Sequence, residues 1–157
     1  MYGKILAKQK GHYLAGNNQA WLLATHLGDP AGAFEVLRGM RKGRFSGKPL
    51  PGDRLRPEFL DTIGAVYHKL GKPELFGEMR ELFEAARRRY PQDPRMCLYL
   101  GHACAGLGDA DRAGDLFTTA IDLAGPKGQS TLSQPERQEV IDGARAALTR
   151  LERAARN

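Results

Sequence analysis

Apolar residues recur every three or four positions along this chain, in short stretches separated by glycine or proline breaks. Leu60, Ile63, Gly64, Tyr67 and Leu70 share one stripe of a helix, and Gly71-Lys72-Pro73 interrupts it. Leu75, Met79, Leu82, Phe83 and Ala86 form the next stripe, which runs to Arg89-Tyr90 and stops before Pro91, since a proline disfavours helical backbone in the residue before it. The pattern then repeats. Asp93-Pro94 opens a helix carrying Cys97, Leu100, Gly101, Cys104 and Leu107, and Gly108 closes it. Asp109 is placed to cap a partner helix with Ala113, Leu116, Phe117, Ala120 and Leu123 inward, ending at Gly125-Pro126. Upstream, Ala20, Leu23 and Leu27 lie on a stripe that closes at Gly28, and Asp29-Pro30 starts a helix with Ala33, Leu37 and Met40 inward. No segment alternates apolar and polar residues over a useful length, so the chain reads as all-α, with helix pairs over 13–42, 57–91 and 94–125.

The remaining segments read differently. Ser133-Gln134-Pro135-Glu136 is a capping-box pattern, and Val140, Ile141, Ala144, Ala147, Leu148 and Leu151 line one side of the helix it starts. That helix, over 133–157, is expected to cap the array. At the front, Tyr2, Ile5 and Leu6 predict a partial helix over 1–12, the end of an upstream repeat. Residues 43–56 are rich in Gly and Pro and read as a loop inserted between the first and second pairs.

Small residues sit in the middle of the first helix of each pair: Ala20, Gly64 and Gly101. A mid-helix Gly costs up to ~1 kcal/mol and is tolerated where another helix must approach closely. Gly64/Tyr67/Gly71 and Gly101/Cys104/Gly108 repeat the same spacing. The segments Leu60-Asp61-Thr62-Ile63-Gly64-Ala65-Val66-Tyr67 and Leu98-Tyr99-Leu100-Gly101-His102-Ala103-Cys104 resemble the first helix of the tetratricopeptide repeat, a helix pair of ~34 residues. Asn17-Asn18-Gln19-Ala20-Trp21-Leu22 is similar to the form common in bacterial members. The likeness covers roughly residues 13–125. It departs at Gln19, where an apolar residue is usual, and at Phe76, where the second helix of the middle repeat should carry a small residue; a slip of one residue to Gly77 would restore it.

The resemblance implies a right-handed α-α superhelix of about three pairs, with first helices lining a concave face. It also implies a scaffold that holds a protein or peptide, as part of a larger protein or complex. The residues placed toward such a groove are Asn17, Asn18, Trp21 and Thr25, then Glu58, Asp61, Thr62, His68 and Lys69, then Arg95, Tyr99 and His102. Asn can bond peptide backbone, and Trp and Tyr supply contact area.

Charge adds a second candidate surface. The formal net charge is +6. The insertion and its start concentrate Arg41, Lys42, Arg44, Lys48, Arg54 and Arg56 against Asp53 alone, with Phe45 and Leu55 interleaved. A basic loop of this kind suits an acidic protein or nucleic acid, so a nucleic-acid adaptor is an alternative function. A spacer in a multidomain protein is another.

Known chemical motifs are missing. There is no phosphate-binding Gly loop, no Cys-x-x-Cys and no His-Glu-x-x-His, and the four histidines are not paired at helical metal spacing. No catalytic residue, cofactor or metal is therefore expected. His68 and His102, on the first helices of adjacent pairs, are expected to face the same groove. Cys97 and Cys104 lie two helical turns apart, ~10 Å, too far for a disulfide, and read as buried thiols. With no apolar run of the ~18–20 residues a membrane span needs, and no signal-peptide pattern, the expected location is cytoplasmic.

Overall fold

The structure, a computed structural model, describes residues 13–41 and 50–157. The helix expected over 1–12 and residues 43–49 of the insertion lie outside the described residues. Among the described residues there are seven α-helices, one 3-10 turn and no strand. The helices are α1 (Tyr13–Thr25), α2 (Pro30–Arg41), α3 (Pro57–Leu70), α4 (Pro73–Arg89), α5 (Pro94–Gly106), α6 (Ala110–Ala124) and α7 (Gln134–Ala155); the 3-10 turn, η1, is Gly52–Arg54.

Local chemistry sets the helix ends. Proline opens α2, α3, α4 and α5, where a missing N–H costs nothing and a fixed φ favours the first turn. Asp93 accepts a hydrogen bond from the Arg95 backbone N–H at 3.0 Å, and Asp109 caps α6 in the same manner. At the start of α7, Ser133 donates to the Glu136 carboxylate from both its backbone N–H and its hydroxyl. Gly28, Gly71 and Gly108 follow α1, α3 and α5, all with positive φ, which frees the chain to turn back.

Each turn-linked pair does not pack alike. α1 lies along α2, and α5 along α6, over their length, whereas α4 packs more on α5 than on α3. Phe76 explains the shift. Its ring fills the space over Gly106 of α5, while nothing lies within 4 Å of a Cβ placed on Gly77. The bulky residue is thus accommodated by a gap in the next helix, and Gly77 is not the contact point. Within the last pair, a Cβ on Gly101 would come 2.6 Å from Phe117 Cε1, so Gly101 is where α6 presses on α5. One continuous core runs through all seven helices, with Phe83 and Phe117 among its largest fully buried side chains. Each contributes roughly 2–3 kcal/mol by burial.

The end of the insertion is a fitted piece of structure. Gly52 lies against the backbone of Leu82 and Ala86 in α4, leaving no room for a side chain. The Tyr90 hydroxyl donates to the Leu55 carbonyl at 2.8 Å, and Leu55 is buried. Arg41 does not belong to a basic loop. It is the last residue of α2 and is 5% exposed. Its guanidinium donates to the Tyr67 hydroxyl at 3.0 Å, to the Glu78 carboxylate and to the Leu50 carbonyl. The Tyr67 hydroxyl in turn donates to Glu78 at 3.0 Å. Burial, the largest cause, pushes the Tyr67 phenol up to about 12. A buried guanidinium needs this many acceptors, because an unpaired one costs several kcal/mol.

Candidate functional site

The odd-numbered helices touch one another in order, α1 on α3, α3 on α5 and α5 on α7. Their shared side carries most of the residues singled out from sequence. Small side chains make the approach possible: the Tyr99 ring of α5 lies directly over Gly64 of α3, and Tyr99 also tilts against Phe83 with ring centroids 5.2 Å apart.

Asp61, Tyr99 and Arg95 form the first polar cluster on this side. The Tyr99 hydroxyl donates to Asp61 Oδ1 at 2.8 Å, and Arg95 lies 3.5 Å from Asp61 Oδ2. Arg95 also grips Asp93 with two bonds, Nε to Oδ1 at 3.0 Å and Nη2 to Oδ2 at 2.7 Å. Burial raises the Asp61 carboxyl above the usual range, and Arg95 and Tyr99 partly offset it. The Tyr99 phenol is held well above its ordinary value by burial and by the adjacent Asp61. These groups tie α3 to α5. Arg95 lies in the first turn of α5 and Asp61 in the first turns of α3.

His68 of α3 and His102 of α5 form the second cluster. Their rings stack with centroids 3.8 Å apart and an interplanar angle of 25°. His102 also meets the Phe117 ring edge-on at 5.1 Å. Burial, then the neighbouring His68, then Arg150 of α7 lower His102 to about 3. His68 is lowered as well, by desolvation where its ring is covered and then by Arg150, although its outer side meets solvent. Both rings are therefore neutral near pH 7. Face-to-face stacking aims their in-plane nitrogen lone pairs side by side instead of toward a common point, which a tetrahedral metal would require. Among the described residues no group of three or more His, Cys, Asp or Glu side chains could hold a metal ion.

The rest of the sequence-derived set divides by burial. Thr62 is 2% exposed and bonds the Glu58 carbonyl at 3.2 Å, and Tyr99 is 9% exposed. Neither presents a face to a partner; both are packing residues between helices. Lys69 ends on the Ala24 carbonyl at 2.8 Å, tying α3 to the end of α1. Asn17, Asn18 and Thr25 are half-buried, and the Thr25 hydroxyl bonds the Trp21 carbonyl at 2.7 Å. Trp21, Glu58 and His68 are exposed. Of the basic set, Arg54 and Arg56 are exposed beside η1, Arg41 is buried as described, and Lys42, Arg44 and Lys48 lie outside the described residues.

No family model, curated protein or solved structure matches the chain. Sequence reasoning missed Asp93 and Arg150 as neighbours of the two clusters. Asp93 was legible as a helix cap, but its bidentate hold on Arg95 depends on side-chain direction. Arg150 comes from α7, whose register against α5 no periodicity specifies. Cys97 and Cys104 are buried free thiols, as the spacing implies. No helix among the described residues is long and apolar enough to cross a membrane.

Proposed function

We propose that this chain is a tetratricopeptide-type helical array that holds a protein or peptide partner on the wall formed by α1, α3, α5 and α7. The observation that carries the reading is the direct contact of these alternate helices: Tyr99 over Gly64, His68 on His102, and Arg95 with Asp61. A repeating contact of this kind builds an extended surface in which each unit adds one helix to the same side. The exposed residues on it, Trp21, Glu58 and His68, with half-buried Asn18 beside them, combine aromatic area with hydrogen-bonding groups. Asp61, Arg95 and Tyr99 act as the mortar of the wall, and α7 covers its last unit. The array serves as a binding platform within a larger protein or complex.

The test is partner capture by affinity purification and mass spectrometry, comparing the intact chain with a variant carrying alanine at Asn18, Trp21, Glu58 and His68. These side chains are exposed or half-buried, so circular dichroism is expected to stay unchanged. Loss of the captured proteins supports the assignment. An unchanged set of captured proteins rejects it.

A further inference from the structure

The opposite side of the molecule carries a second feature. The backbones of α4 and α6 stay apart, leaving a cleft over α5 of about 420 Å³. Glu84, Arg87 and Arg88 of α4 line one wall, Arg112 of α6 the other, and Leu100 and Pro91 close the floor and end. Three guanidinium groups thus face a space with a single carboxylate. Arg112 pairs with Glu84 at 2.8 Å, through one of its two oxygens. Arg87 approaches the Cys97 thiol, and among the described residues neither Arg87 nor Arg88 forms an ion pair. The helix dipole accounts for cations in the last turn of α4. It does not account for the third guanidinium, which arrives from a different helix.

We propose that this cleft binds a short acidic peptide segment of a partner protein. The carboxylates of the segment pair with Arg87 and Arg88, whose planar forks match carboxylate geometry. Glu84 decides between a peptide and a nucleic acid. A phosphodiester linkage has no donor to offer Glu84, whereas a peptide offers backbone N–H groups to its free oxygen. Pro91, which is exposed, provides an apolar surface that suits an aliphatic side chain between the acids. A volume of this size lies within the range of specific ligand pockets.

The experiment is fluorescence anisotropy with a labelled peptide of alternating glutamate and leucine, blocked at both ends so that no terminal carboxylate contributes. A single-stranded oligonucleotide of equal charge and a lysine–leucine peptide run in parallel. The glutamate peptide is expected to bind at low salt, and Arg87→Ala/Arg88→Ala is expected to weaken it about tenfold or more. Arg88→Gln alone, at an exposed position, is expected to weaken it less and guards against a folding defect in the double variant. His68→Ala, on the other face, is expected to leave it unchanged, so this site and the helical wall fail or succeed separately. The proposal is overturned by no binding of the glutamate peptide, by equal binding to the double variant, or by tighter arginine-dependent binding of the oligonucleotide.

Discussion

The ring of Tyr99 occupies the space in which any side chain at position 64 would have to sit. This one contact sets how closely α3 and α5 approach. Gly64→Ala gains ~1 kcal/mol of helix propensity but overpacks the seam, at a cost of roughly 1–3 kcal/mol. Net destabilisation in urea unfolding is expected. Gly77→Ala supplies the contrast, since nothing lies within 4 Å of the new methyl. That variant is expected to be more stable by up to ~1 kcal/mol. If both substitutions shift the midpoint in the same direction, close approach at Gly64 is not what selects glycine.

The Tyr99–Asp61 hydrogen bond is expected to appear as coupling between the two residues. In a double-mutant cycle of Tyr99→Phe and Asp61→Ala, the interaction energy should be about 1 kcal/mol. Additive losses would show that the bond contributes nothing beyond packing.

Arg41 bridges α2, α3 and α4 through Tyr67, Glu78 and Leu50. Removing the guanidinium leaves the Tyr67 hydroxyl and Leu50 carbonyl short of a donor. Arg41→Met is expected to destabilise by roughly 1–3 kcal/mol, less than breaking a fully buried pair costs, because Glu78 keeps access to water. Arg41→Lys should not restore stability, since one ammonium cannot reproduce the fork. Thermal unfolding of the two variants decides the matter.

The stacked histidines predict a pH dependence with a definite sign. His102 is lowered to about 3, so the folded chain binds its proton less readily than the unfolded chain. The stabilisation is complete above about pH 6.5, the ordinary histidine value, and declines as pH falls from there toward about 3. Each group of this kind contributes a slope of at most about 1.4 kcal/mol per pH unit. His68 acts in the same direction. Asp61, raised from 3.8 by burial, acts in the opposite sense near the acid end. The cleanest window is therefore just below neutrality. The melting temperature should fall between about pH 7 and 5, and the fall should shrink in His102→Gln. An identical fall in that variant would assign the effect to other groups.

Much of this fold is legible before any coordinates. Gly28, Gly71 and Gly108 mark the ends of three helices, and prolines 30, 57, 73 and 94 mark the starts of four. Local steric rules govern both, so the sequence carries the information directly. That His68 and His102 meet on one side also agrees with their places on the first helices of adjacent pairs. Arg41 shows where such reasoning ends. It opens a run of basic residues that reads as a solvated loop, yet it is the terminus of α2, and its acceptors come from two helices far along the chain. Phe76 is a similar case. Its partner is the vacancy at Gly106, a relationship between helices that no local pattern encodes. The exposed set on the wall was legible as a helical face, but which members are free and which are cemented depends on pairings such as Lys69 with Ala24.

Two ion pairs, Arg41 with Glu78 and Arg112 with Glu84, cross between the even-numbered helices, whose backbones otherwise stand apart. The odd-numbered helices meet by close approach, with Tyr99 seated over Gly64 and the Arg95–Asp61 pair largely shielded beside it. One edge of the molecule is therefore held by ion pairs across a gap, and the other by close packing with its ion pair shielded from solvent. Dissolved salt weakens the exposed Arg112–Glu84 pair far more than the close-packed edge. Bending stiffness is thus unequal on the two edges, and ionic strength becomes a handle on how far the gapped edge can fan open while the opposite edge keeps its spacing.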